Sequence, residues 1–179
     1  MRGPTHCIAL HTSTPASFHT RAAGGFVSLY KMLASCGRYL TSRKSASIDL
    51  YVVRGHTRRR RIRNESEVIA LMAKLGFEIF DPSGHSVCEQ ARKFANARKI
   101  IGFHGAGLTN TIFCGMQTRF IEICDRGYAP DYYSNIASQL GLEYRRIVHD
   151  TRSKHRLAGI AEDISVDIDT LEAQLKCAI

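Results

Sequence analysis

The sequence predicts an α/β fold: an open, mostly parallel sheet with helices on both faces. Three observations carry this reading. From residue 48 onward, short apolar runs and amphipathic segments alternate five times. The runs are apolar throughout, as in strands covered on both faces. The connections are short, which favours right-handed βαβ units over a meander.

The elements follow in order. "IDLYVV" at 48–53 reads as a buried strand, and the arginine-rich 58–63 as a loop. "NESEVIALMAKLG" reads as a helix, with Asn64 as its cap and Gly76 at its end. Val68, Leu71, Met72 and Leu75 supply its apolar stripe. "FEIF" is a short strand and "DPSG" a turn. Ser86 and Glu89 have capping-box spacing and open the helix "VCEQARKFANA". "KIIGF" is a strand, "HGAG" a tight loop, "LTNTIFCG" a short helix and "RFIEIC" a strand. "DYYSNIASQLG" is a helix stopping at Gly141, with Tyr132, Tyr133, Ile136 and Leu140 as a core stripe. "LEYRRIV" is a further strand, the segment 150–163 a loop, and "DIDTLEAQLKC" a last helix capped by Asp169. The whole is Rossmann-like over residues 48–179. Residues 1–47 form a helical or irregular remnant, with a candidate helix in "FVSLYKMLASC".

Composition narrows the class. A hydrophobic content of 44% with 23% charged residues is that of a globular chain. No apolar run approaches the roughly 18 residues that span a bilayer. The N-terminal run "CIAL" is too short for a signal peptide. The chain is therefore expected in the cytoplasm, or in the ER or Golgi lumen if an upstream anchor exists. The six cysteines contain no CxxC pair, so a zinc ribbon is excluded and buried free thiols are expected. Net charge is +9, concentrated in "RRRRIR", which points to an anionic partner. No helix-turn-helix, RRM or OB signature accompanies it, so nucleic acid is not the expected partner.

The informative stretch is "IIGFHGAGLTNTIF" at 100–113. In open parallel sheets, ligands bind beyond the carboxyl ends of the strands. His104, Gly105 and Gly107 lie there, followed by a helix start with free N–H groups and a positive dipole end. That combination suits an anion, most often phosphate.

Several fragments then occur in one order: "VVRGHTRRRRIRNESEV", "GFE", "SVCEQARKFANARKIIGFHGAGLTNTIF" and "IEI". Together they resemble the C-terminal part of glycosyltransferase family 61. That group includes capsular polysaccharide glycosyltransferase-like proteins, plant xylan arabinosyl- and xylosyltransferases and secretory-pathway O-GlcNAc transferases. The likeness runs over roughly residues 48–148. It implies the C-terminal, donor-binding half of a GT-B-type enzyme that inverts the anomeric carbon. The implied substrate is a nucleoside diphosphate sugar, expected to be UDP-linked, with a glycan or glycoprotein acceptor and no cofactor. Only 47 residues precede the likeness, so an acceptor domain is expected elsewhere, or the chain self-associates.

The resemblance places the family's motif positions on Arg54, Arg60, Arg61, Asn64, Glu65, Glu89, Gln90, His104, Gly105, Ala106, Gly107, Leu108, Thr109 and Asn110. Guanidinium forks match diphosphate oxygens, which gives Arg54, Arg60 and Arg61 their expected role. His104 titrates in the range a base needs, and equally suits a phosphate donor, a ribose contact or a structural turn histidine. Glu89 is either a contact to nucleotide or sugar hydroxyls or simply a cap. "DID" at 167–169 resembles a metal motif of GT-A enzymes, but Asp169 is explained as a cap and no metal is expected. The alternative functions are a non-catalytic nucleotide- or sugar-binding module and, behind it, a nucleic-acid-binding protein.

Overall fold

The computed structural model describes residues 48–55, 60–149 and 163–179. The expected helix within residues 1–47, the arginines at 58 and 59 and most of the 150–163 loop lie outside them. Five strands form one sheet: β1 (Ile48–Val52), β2 (Glu78–Phe80), β3 (Ala97–Phe103), β4 (Arg119–Asp125) and β5 (Glu143–His149). Their spatial order is β2-β1-β3-β4-β5, and every neighbouring pair is parallel. The chain therefore winds one way from β1 to β2 and the other way from β3 to β5. The reversal opens a crevice between β1 and β3 at their carboxyl ends.

Helices α1 (Glu65–Lys74) and α4 (Ile168–Ala178) cover one face, and α2 (Val87–Ala95) and α3 (Tyr132–Leu140) the other. The pleat divides the core between them. Leu50, Val52, Ile100 and Phe120 pack with Phe94, Ala137 and Leu140. Tyr51, Ile101, Ile121 and Ile123 pack with Val68, Met72, Leu171 and Leu175. The central strands β1, β3 and β4 bury apolar residues on both sides because each side meets a helix, as the sequence predicts, whereas β5 carries Glu143, Arg145 and Arg146 at the sheet edge.

Helix ends follow local chemistry with two exceptions. The capping box of α2 forms as expected: Glu89 N–H donates to Ser86 Oγ at 3.4 Å and Ser86 N–H to Glu89 Oε2 at 2.8 Å. Gly76 and Gly141 end α1 and α3 at φ 84° and 69°, where a Cβ is strained. Asn64, however, makes no side-chain cap to α1. Residues Ile62 and Ile164 form a bridge, and Asn64 turns to that neighbouring segment, accepting from Val166 N–H at 3.0 Å and donating to Val166 C=O at 2.8 Å. Likewise Asp167, not Asp169, caps α4 by accepting from Thr170 N–H at 3.0 Å. Asp167→Ala should therefore lower stability by about 1 kcal/mol, read as a shift in urea midpoint, while Asp169→Ala leaves it nearly unchanged.

The short helix expected after β3 forms, as a 3₁₀ helix over Ala106–Phe113. Two further expectations are corrected. Cys114 and Cys124 are buried, but Cys88 and Cys177 are exposed on helix surfaces. In α3, Tyr133 and Leu140 are buried while Tyr132 stands 63% exposed at the first turn. Among the described residues no helix is long and apolar enough to cross a membrane.

Candidate active site

The crevice between β1 and β3 holds a cavity of about 280 Å³. Its walls come from the end of β1 (Val52, Val53, Arg54), the turn after β2 (Asp81, Pro82, Ser83), Gln90 of α2 and the loop Gly105–Leu108. The expected site residues Arg54, Gln90, Gly105, Ala106, Gly107 and Leu108 are thus brought to one place. A smaller recess adjoins it, sharing Arg54 and Phe103, and is lined by Arg60, His104, Asp125 and Tyr128. Arg60 lies with its guanidinium 4.5 Å from the centre of the Tyr128 ring. Its backbone, at φ 56°, is in the left-handed region, a local strain in the basic loop.

The glycines are required by closeness rather than by turning. The chain passes from β3 to the 3₁₀ helix across His104 and Gly105 alone, and does so with Gly105 extended at φ 179° and with no positive φ at Gly107. A Cβ on Gly105 would stand 3.1 Å from Arg54 Nη1, and one on Gly107 would stand 3.3 Å from Val52 Cγ1. Gly102, in the middle of the sheet, is tighter still: its Cβ would lie 2.7 Å from Leu108 Cδ2 and 3.2 Å from Val52 C=O. Gly102→Ala is expected to cost about 1–3 kcal/mol by overpacking, visible as a lower melting temperature in calorimetry.

Arg54 is half-buried. Its Nη1 donates to the His104 carbonyl, and its backbone N–H donates to Glu65 Oε1 at 3.2 Å. Burial, and then the neighbouring Arg60, push the guanidinium below its ordinary value, whereas Glu65 pulls it back. Two guanidinium groups close enough to oppose each other are a place where an anion relieves repulsion.

The remaining expected residues are placed differently. Arg61 is turned away to Asp163, whose carboxylate accepts from its Nη2 at 3.0 Å and from its backbone N–H at 3.0 Å. Asn64 is engaged with Val166 as described. Gln90 donates to Pro82 C=O at 2.9 Å and His85 C=O at 2.8 Å, and accepts from Asn110 Nδ2 at 2.7 Å. Gln90 and Asn110 therefore brace the cavity walls against each other. Thr109 hydrogen-bonds with Tyr133 beside the loop. Glu89 sits outside the cavity, on a separate groove beside β2 with Glu78, His85 and Lys93. Its carboxyl is held below its ordinary value by the Ser86 hydroxyl and backbone N–H.

His104 is 7% exposed and tightly furnished. Its backbone N–H donates to Ile123 C=O at 2.8 Å. Its Nδ1 lies 2.5 Å from Glu122 Oε1, and the rings of Tyr128 and Tyr133 stand at 5.2 and 5.1 Å. Tyr133 also donates its hydroxyl to Gly105 C=O at 2.5 Å. Burial pushes the Tyr133 phenol up, keeping it a donor.

Glu122 was not among the expected residues. It is fully buried in β4, directly across from Gly102 of β3 and Arg146 of β5. Its Oε2 accepts from the Tyr144 hydroxyl and from Arg146 Nε at 3.4 Å. The signal was present in "RFIEIC": a carboxylate within an apolar strand is buried only when paired. His104, Glu122 and Cys124 bring donor atoms of metal-binding type within 4.8 Å of one another. They do not fit a cation well, because the Arg146 guanidinium already occupies the carboxylate and Nδ1 faces Glu122.

The strand reversal of this parallel sheet thus carries two opposed arginines beside a glycine-lined helix start, chemistry that suits an anion. The family described as Glycosyltransferase 61 matches residues 5–121, more than half of the chain, and the chain belongs to that family. It is similar to xylan glycosyltransferase MUCI21 of Arabidopsis thaliana, 29% identical over 111 residues, covering 59% of this chain and 22% of the relative. It is also similar to alpha-1,3-arabinosyltransferase XAT3 of Oryza sativa subsp. japonica, 31% identical over 104 residues, covering 54% of this chain and 18% of the relative. The chain thus spans about a fifth of the length of these curated relatives.

Proposed function

We propose that residues 48–179 form the donor-binding half of a GT-B-type, inverting glycosyltransferase, and that the donor is a UDP-linked sugar. The observation that carries this reading is the placement of Arg54 at the strand reversal, where it lines a cavity with the loop Gly105–Gly107 and an adjoining recess with Arg60 and His104. The diphosphate lies against these arginines and the backbone N–H groups that open the 3₁₀ helix. In the reaction, the acceptor hydroxyl oxygen bonds to the anomeric carbon as the bond from that carbon to the diphosphate oxygen breaks. The proton of the hydroxyl passes to a base, and the negative charge left on the diphosphate is stabilised by the arginines. His104 is the group placed beside the arginines that can take or give that proton. No metal takes part in this scheme. The acceptor is a glycan or glycoprotein, a glycan being the kind named for the xylan-acting relative.

Titration calorimetry of the chain with UDP and UDP-sugars tests the reading. Saturable binding, lost in Arg60→Ala and not restored by magnesium, is the expected result. A folded chain that takes up no nucleotide would overturn it.

A further inference from the structure

A fully buried carboxylate is expensive unless something requires it. Glu122 meets that cost with three partners, His104 at the exit of β3 and Tyr144 and Arg146 of β5, and the pleat explains how. Residues 102 and 104 of β3 and its exit, 122 of β4, and 144 and 146 of β5 fall on one sheet face. Arg146 is itself fixed, donating to Pro130 C=O at 2.7 Å, Ala129 C=O at 3.3 Å, Asp131 Oδ1 at 3.1 Å and Tyr144 Oη at 2.9 Å. The carboxylate therefore has a donor pair, Tyr144 and Arg146, on Oε2 and the imidazole on Oε1.

From this we infer that Glu122 is a positioning residue for His104: it holds the imidazole as the Nδ1–H tautomer, so that Nε2 is the nitrogen offered to the ligand. An ionised carboxylate beside a guanidinium can only accept, so Nδ1 must carry the hydrogen. The Tyr128 and Tyr133 rings fix the plane, and the Ile123 carbonyl fixes the backbone. Nε2 is then a lone pair able to receive a proton from a hydroxyl, or, once protonated, a donor to a phosphate oxygen. The inference rests on the proposed donor site for its purpose but not for its test.

The test is a proton–nitrogen correlation spectrum of the ¹⁵N-labelled chain, with His104 assigned by its absence in His104→Gln. The wild-type spectrum should show protonated Nδ1 and bare Nε2 in the neutral ring. Glu122→Gln should invert this. Two donors on one side draw the amide oxygen towards Tyr144 and Arg146, so the amide NH₂ faces Nδ1 and the hydrogen moves to Nε2. A wild-type ring protonated on Nε2 overturns the inference without any variant, as does a well-dispersed Glu122→Gln spectrum with the tautomer unchanged. Added UDP should move the Nε2 resonance. If the tautomer reads and inverts as stated while UDP moves nothing, the positioning role stands and the donor-site reading falls.

Discussion

Arg146→Ala should destabilise the domain by about 3–5 kcal/mol, more than Gly102→Ala or Asp167→Ala, because it strands a buried carboxylate. Glu122 is fully buried and Arg146 is the cation that faces it across the β4–β5 ladder. Burial alone would push the Arg146 guanidinium down, but Tyr144 and Glu122 more than reverse this and hold it above its ordinary value. Burial, then Glu122, push the Tyr144 phenol up, so it too remains a donor to the carboxylate. Urea unfolding followed by circular dichroism reads the loss as a lower midpoint. The double substitution Arg146→Met with Glu122→Leu should recover part of it, since removing the buried charge removes its desolvation cost, while the Tyr144 hydroxyl and His104 Nδ1 lose their acceptor. An Arg146→Ala loss below about 1 kcal/mol, the size of an ordinary surface ion pair, would mean that water or another cation reaches Glu122.

Arg54→Ala should weaken UDP binding about tenfold to a hundredfold, the value of a charge-assisted hydrogen bond to phosphate. Arg54 lines both the cavity and the recess, so its loss opens both. It also frees the His104 carbonyl from its guanidinium partner and loosens the loop that carries Gly105. The melting temperature separates these consequences: a wild-type-like melt with lost affinity assigns the effect to phosphate contact. Arg61→Ala is the control. Its side chain is committed to Asp163, so UDP affinity should change by less than about threefold while the melt is lowered slightly.

The layout of the sheet was readable from the sequence because it rests on patterns within single segments. "KIIGF" and "RFIEIC" are apolar on both sides, and the structure buries both sides. The site was readable in part. Arg54 and the Gly105–Leu108 loop lie next to strand ends, so their location follows from the strands alone. Arg61, Asn64 and Gln90 are adjacent to such positions, yet their side chains are taken by Asp163, Val166, and Pro82 with His85. Those partners are distant in sequence or set by a turn, and no local pattern announces them. Glu122, Tyr144 and Arg146 escaped for the same reason: their meaning lies in the register between β3, β4 and β5. The helix caps show the limit at short range. Asn64 has every local qualification for a cap and is recruited by Val166 instead.

The clasp between residues 61–64 and 163–166 also has a consequence in time. It joins positions about a hundred residues apart, among them Asn64 with Val166 and Arg61 with Asp163, so the loop carrying Arg60 is tied to a segment synthesised well after it. Contacts of such long separation form late, after the loop-closure entropy has been met. A nascent chain can pair β1 to β4 and still lack an anchored basic loop. The capacity to hold an anion at the strand reversal should therefore lag behind the growing sheet, arising only once residues 163–166 have left the ribosome and docked.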